Sequence, residues 1–297
     1  MKKLKSSLAR WLKRQQTSVE RRQSRLKYKA IEFFAPVRRA MRKGRRMEIE
    51  VITMMYNEAV LAPLFVRHYA PWVDKFTVFY SESIDGTRRE LETASAQCGV
   101  KSLNIVPFEF PKGFDDMVKI GHINRAVRKS SADFVICVDA DEFVHPWPFD
   151  GTNPRDELAK ETGEVVLCAM FQSYRHATDA DIDRTKPPLF QRRHGEHIVD
   201  EHNCLRFIKR CIVRPDGGAQ FGVGCHDLVV PQRGSTLWRG VHWGKADDYC
   251  VPRYVRDRRD RLSEENRLMG RGVQHFTITG EQLRAELKAH ENDPLLF

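Results

Sequence analysis

Apolar runs of strand length alternate with helically spaced segments from Ile49 to Val138, and this predicts an α/β fold: a mostly parallel sheet flanked by helices. A second observation points the same way. The most hydrophobic of these runs, Phe134 to Val138, stops at three carboxylates, as a buried strand does where it reaches a ligand site. With 297 residues, 41% of them hydrophobic and 10% aromatic, the chain can bury one large α/β core and still carry extensions.

Ile49 to Met55 reads as a buried strand leading into Tyr56-Asn57-Glu58. A helix is expected from near Val60, because Pro63 is tolerated only in a first turn. Lys75 to Tyr80 is a second strand, closed by the turn Ser83-Ile84-Asp85-Gly86-Thr87, and Arg88 to Cys98 a second helix. Leu103 to Phe108 makes the third strand. Asp115 and Asp116 fit the cap and first turn of a helix through Met117, Ile120, Ile123 and Val127, where acids meet the positive end of the helix dipole. Phe134 to Val138 is the fourth strand, so the loops after Thr53, Tyr80 and Val138 are expected to converge.

Beyond Gly163 the alternation weakens. Glu164 to Phe171 and Leu205 to Val213 read as strands, separated by a polar stretch from Arg175 to Asn203 that is long enough to imply a functional or disordered loop. From Ala246 the chain is charged and helical, and Thr279-Gly280-Glu281-Gln282 has capping-box spacing. The expected organisation is therefore a basic arm over residues 1–46, a catalytic domain over 47–245 and a helical extension over 246–297.

The formal charge of +10 is unevenly distributed: residues 1–46 hold 17 Lys/Arg against Glu20 and Glu32, leaving a mildly acidic body. Leu4, Leu8, Trp11 and Leu12 lie at helical spacing within that arm. It reads either as a helix lying on an anionic membrane surface, at about 1 kcal/mol per nearby basic residue, or as a solvated tail. No nucleic-acid module accompanies it, and no nucleic-acid partner is expected. No run reaches the length of a membrane span, and the basic start lacks the apolar core of a secretory signal. Seven cysteines without a Cys-x-x-Cys pair favour a reducing, cytoplasmic setting, with peripheral attachment to the inner membrane face as the arm's consequence.

The chemistry concentrates at Val138-Asp139-Ala140-Asp141-Glu142-Phe143. Three acids at a buried strand end repel one another unless a cation sits among them. A hard divalent ion, Mg²⁺ or Mn²⁺, meets that need and completes its shell with phosphate oxygens and water. Such an ion would neutralise charge on a departing diphosphate.

Met55-Tyr56-Asn57-Glu58, Ser83-Ile84-Asp85-Gly86-Thr87, Asn124-Arg125-Ala126 and the Asp139 segment occur in an order that resembles the first half of family-2-type GT-A glycosyltransferases, particularly the bacterial branch with a Tyr-Asn-Glu start and an Asp-x-Asp-Glu-Phe core. The resemblance covers Ile49 to Val144. It implies a GT-A, Rossmann-like fold and transfer of a sugar from a nucleotide-diphosphate donor to a hydroxyl acceptor on a glycan or glycolipid, with inversion. It also implies that Tyr56, Asn57, Glu58 and Asp85 line the nucleotide pocket, that Asp139 faces the sugar or ribose, and that Asp141 faces the metal. Many relatives place acids just after the second strand; here Tyr80-Ser81-Glu82 leaves Glu82 as the substitute. A later histidine, His226 or His242, is implied as a further metal ligand. Lys119, His122 and Arg125 share a helix face that can meet the diphosphate, and Asp200, Glu201, Glu196 and Asp227 are candidate general bases. Two other readings remain: nucleotidyl transfer, for which Met54 to Glu58 lacks a Gly-rich, basic loop, and a non-catalytic membrane-anchored scaffold derived from a transferase.

Overall fold

A computed structural model describes residues 45–110, 112–149, 151–199, 206–222, 225–228, 234–270 and 278–296. The basic arm therefore lies outside the described residues, apart from Arg45 and Arg46. The first half follows the expected alternation closely: β1 (Ile49–Met55), α1 (Leu61–Tyr69), β2 (Lys75–Tyr80), α2 (Thr87–Gln97), β3 (Ser102–Pro107), α3 (Asp116–Lys129) and β4 (Phe134–Cys137). Pro63 falls in the first turn of α1. Asp115 caps α3 by accepting from the backbone N–H groups of Met117 and Val118. β1, β2, β3 and β4 pair in parallel in the order β3-β2-β1-β4.

The second half extends the same sheet and is mixed. β5 (Glu142–Pro146), α4 (Pro154–Lys160), β6 (Val165–Tyr174), β7 (His194–His197), β8 (Ile208–Val213) and β9 (Gly234–His242) follow. The full order is β3-β2-β1-β4-β8-β6-β9-β5, with β7 beside β6. β8 is antiparallel to β4 and to β6, β5 is antiparallel to β9, and β6 runs parallel to β9. β5, β7 and β9 had no counterpart in the sequence reading. β5 begins inside the acidic motif, and its charged start hid it.

One core underlies α1, α2 and the sheet, with Phe65, Phe76, Phe134, Phe143, Trp238 and Trp243 fully buried or nearly so. A second lies beneath α3 on the opposite face, around Ile120, Ile123, Val135 and Phe221. Burying both faces is what makes the parallel strands continuously apolar. Glu50, an acid inside β1, is tolerated because Thr77 and Ser130 hydroxyls donate to it at 2.6 Å and Lys75 lies 3.2 Å away.

After β9 a single turn, Cys250–Pro252, runs into a π-helical stretch, Arg253–Arg258, and then α5 (Glu264–Leu268) and α6 (Gly280–Ala289). Thr279 and Gln282 form the expected capping box. Among the described residues no helix is long and apolar enough to cross a membrane.

Where β7 meets β6, Gly195 adopts φ +154°, and a Cβ there would lie 2.0 Å from the Gln172 carbonyl oxygen. Gly195→Ala is therefore expected to destabilise the protein by about 1–3 kcal/mol, measured by urea denaturation, through enforced separation of the two strands.

Candidate active site

The carboxyl ends of β1, β2 and β4 open onto a cavity of about 480 Å³ that also receives the Arg253–Arg258 stretch. Asp139, Ala140 and Glu142 line its floor, and Asp141 is buried behind them. Their loop is fixed from several sides: the Glu142 carboxylate accepts from the Asp139 backbone N–H at 2.9 Å, and the Trp243 N–H donates to the Asp141 carbonyl at 2.7 Å. Tyr69, from α1, donates its hydroxyl to the Glu142 carbonyl.

Four cations meet these carboxylates and Glu58. Lys119 Nζ lies 2.5 Å from Asp139, and Lys209, from β8, lies 2.5 and 2.6 Å from the two Glu142 oxygens and 3.9 Å from Asp139. Arg253 bridges Asp141 at 2.5 Å and Glu58 at 2.7 Å, while Arg258 lies 3.2 Å from Asp141. Burial works against ionising Asp139, yet Lys119 and Lys209 hold its carboxyl well below the usual carboxylate range. Burial opposes ionisation of Asp141 too. Arg253, then His242 and Arg258, outweigh it and keep that group ionised. At Glu58 burial wins over Arg253 and pushes the carboxyl up to about 7. The charge balance that the sequence assigned to a divalent ion is thus carried largely by four side chains, three of which were not anticipated.

A cation position remains at Asp141. Its Oδ1 is buried without a partner. His242 Nε2 stands 3.4 Å from Oδ2, and the ring's orientation is set from behind. Gln172 directs its amide N–H groups to the carbonyls of Ser173 and His242, so its Oε1 accepts from His242 Nδ1–H at 2.7 Å. In the neutral ring that leaves the Nε2 lone pair facing a carboxylate oxygen. Such an opposition is repulsive unless a proton or metal lies between, and a histidine oriented through its other nitrogen is the usual form of a metal ligand. Gly244 makes room for the ring, since a Cβ there would lie 2.5 Å from it. Asp141 and His242 therefore fit a divalent ion as a two-residue set. Among the described residues no group of three or more His, Cys, Asp or Glu is arranged to hold one.

The other sequence candidates distribute unevenly. Tyr56, Glu58, Lys119, Asp139, His226 and His242 line the cavity. Asn57 instead ties the loop to the arginine stretch, its amide donating to Asp257 at 2.9 Å. Asp85 accepts from Ala59 N–H, Thr87 N–H and the Thr87 hydroxyl, which makes it a brace for the Tyr56 loop on the exposed side. Glu82 is exposed and is absent from the cavity wall. Of the three α3 candidates only Lys119 reaches the cavity. His122 packs edge-on against Phe79 and Phe108, and Arg125 is exposed. Asn124 pins the Phe221 backbone with a reciprocal pair of hydrogen bonds.

His226 lies in the same cavity beside Phe207, and burial lowers its pKa. Asp227 is a surface acid paired with Arg210 at 2.5 Å, and it lines neither this cavity nor its neighbour. Glu196 accepts from the Tyr174 hydroxyl. Asp200 and Glu201 lie outside the described residues. A second cavity, about 390 Å³, shares Phe207, His226, His242 and Tyr254 with the first. The sequence reading missed Lys209, Arg253, Arg258 and Arg261. Arg253 and its neighbours stand in an arginine-rich stretch whose density was visible but carried no motif.

Lys209→Met is expected to cost about 3–5 kcal/mol in urea denaturation by stranding Glu142, and adding Glu142→Gln should recover most of it. Glu58 sets a pH signature. Its folded pKa is raised, so the folded state binds more protons between pH 4.5 and 7, and the Glu58 contribution to stability falls as pH rises through that window. The stability difference between the wild type and Glu58→Gln should therefore decline by on the order of 3 kcal/mol across it, read from denaturation series at each pH.

No family model and no curated protein matches the chain. Among solved structures it is similar to glucosyl-3-phosphoglycerate synthase from Mycobacterium tuberculosis in complex with Mn²⁺, uridine diphosphate and phosphoglyceric acid, at 18% identity and a TM-score of 0.29 over 46% of each chain. Another structure of that enzyme is 21% identical, with a TM-score of 0.29 over 49% of this chain and 48% of that one. A structure described as a mycobacterial protein is also 21% identical, with a TM-score of 0.30 over 46% of this chain and 43% of that one. The chain thus matches about half the length of these structures.

Proposed function

We propose that the chain is a GT-A glycosyltransferase that moves a sugar from a nucleotide-diphosphate donor to a hydroxyl acceptor on a glycan or glycolipid, by an inverting displacement. The observation that carries this reading is the strand-end cavity itself. Asp139, Glu142 and His242 line it, with the buried Asp141 and its unpartnered Oδ1 directly behind, within a shell of fixed cations suited to a diphosphate.

Asp141 and His242 would hold Mn²⁺ or Mg²⁺, with Asp139 alongside, and the ion would supply Lewis-acid neutralisation of the departing diphosphate. The chain's own groups do the rest. Lys119, charged and anchored on Asp139, faces the cavity and can share its N–H donors with phosphate oxygens. Arg258 is part-exposed beside Asp141 and provides a second such donor. Arg253 is fully engaged between Glu58 and Asp141 and positions the aspartate. Tyr56 and Glu58 form the wall on the nucleotide side.

The second cavity is the proposed acceptor site, and its sharing of His242 and His226 with the first supports that reading. Ile198 and Arg206 both line that cavity. Asp200 and Glu201 lie between them in sequence and are the proposed bases for the acceptor hydroxyl. The basic arm, residues 1–46, would hold the enzyme at an anionic membrane surface on the cytoplasmic side.

Nucleoside diphosphate with Mn²⁺ should raise the melting temperature of the wild type, since a ligand of the native state stabilises it. Asp141→Asn should remove the metal-dependent part of that shift and reduce transfer by at least about 100-fold. No shift with any nucleotide and metal would favour the scaffold reading. Deleting residues 1–44 should abolish sedimentation with vesicles containing anionic lipid while leaving nucleotide binding intact; equal sedimentation of both forms would remove the membrane role.

A further inference from the structure

Arg261 is a cavity-lining cation that the donor-site reading leaves without a task. Its guanidinium carbon lies 3.3 Å from the centroid of the Tyr56 ring, and its Nη2 donates to Ser81 Oγ at 2.9 Å. Among the described residues it makes no ion pair. Both ends of the residue are fixed. Its carbonyl accepts from the Phe114 N–H at 2.5 Å, and Leu262 bridges to Phe114. Arg261 is thus seated over the Tyr56 ring with one nitrogen tied to Ser81, and since an arginine has five N–H donors and no acceptor, further donors remain for a ligand.

Its position identifies what it meets. Ser81 follows β2, Tyr56 follows β1 and Asp139 lies beyond β4, and these strands are neighbours in that order. Two strand spacings, about 10 Å, therefore separate Ser81 from the Asp139 end. With a diphosphate at Asp139 and Asp141, a nucleoside lying across β1 brings its base against Tyr56, Ser81 and Arg261. Among the described residues the acids at that end of the cavity wall, Asp116 and Asp257, are already engaged: Asn266 donates to Asp116, and Asn57 and Arg256 hold both oxygens of Asp257, while Glu82, beside Ser81, is exposed and does not line the cavity.

We propose that Arg261 reads the donor's base, and that the base is guanine. This rests on the donor-site reading above. Guanine presents O6 and N7 as adjacent acceptors, the pair that a guanidinium fork engages with two bonds. Uracil and thymine place N3–H between two carbonyls, so a donor-only edge leaves that N–H opposed. Adenine sets an amino donor beside N7. Cytosine shares an adjacent acceptor pair, N3 and O2, on a smaller ring, and is the sharpest competitor.

The test is calorimetric titration of the full chain with GDP, UDP, CDP and ADP at saturating Mn²⁺, for the wild type, Arg261→Lys and Ser81→Ala. GDP should bind at least about 10-fold more tightly than the other three. Arg261→Lys, which keeps the charge and loses the fork, should weaken GDP by about 10- to 100-fold and leave UDP within about twofold. Ser81→Ala, which frees the fork without removing it, should give a smaller loss confined to GDP and covers the case in which the lysine variant does not fold. Equal or tighter binding of UDP, CDP or ADP by the wild type overturns the base assignment. An equal loss for all four nucleotides in Arg261→Lys overturns the reading role. Binding of none of the four refutes the donor site itself.

Discussion

Four carboxylates stand at or beside the end of β4, three of them buried and Asp139 half-buried on the cavity wall, and every other feature of the site follows from how their charge is met. Lys119 reaches Asp139 from α3, Lys209 reaches Glu142 from β8, and Arg253 spans Asp141 and Glu58 from the C-terminal stretch. Removing one member of such a set leaves an uncompensated buried charge, which costs more than the pair itself contributes. The network therefore couples elements far apart in sequence. It cannot assemble until β8 and the arginine stretch have docked on the parallel half of the sheet.

That coupling explains why the C-terminal region belongs to the site and is more than an appended helix. Asn57 to Asp257, Glu58 to Arg253 and Tyr56 to Arg261 are three successive loop residues, each paired with one residue of a nine-residue stretch. The tyrosine loop alone would be a turn open to solvent. With the stretch across it, the loop becomes one wall of a cavity whose cations face inward. Cations fixed in advance cost little reorganisation when an anionic ligand enters.

Small residues give the chemistry its room. Gly244 lets the His242 ring lie against the backbone, and Gln172 behind it fixes which nitrogen faces Asp141. Gly240 admits Met170 and Val144 at the crossing of β9 with its neighbours. The ring that faces Asp141 is thus set by β6 and β9, which carry no acid of the motif. Orienting a ligand from a separate strand keeps its geometry independent of what binds in front of it.

Sequence alone determined the parallel half of the fold. Apolar period, Pro63, the Asp115 cap and the Asp139 motif are local signals, and each acts within one turn or one strand of its own position. It also determined that acids gather at a strand end and need a cation nearby. Only the tertiary structure decided which cations those are, because Lys209 and Arg253 lie 67 and 112 residues from the carboxylates they neutralise. It likewise brought His242 to Asp141, turned Asp85 and Glu82 away from the cavity and placed Arg261 on Tyr56. These are contacts of high sequence separation made by single residues without a period or motif. Charge type was legible in the chain, and pairing waited on the strand order that carries β8, β9 and the arginine stretch to the ends of β1 and β4.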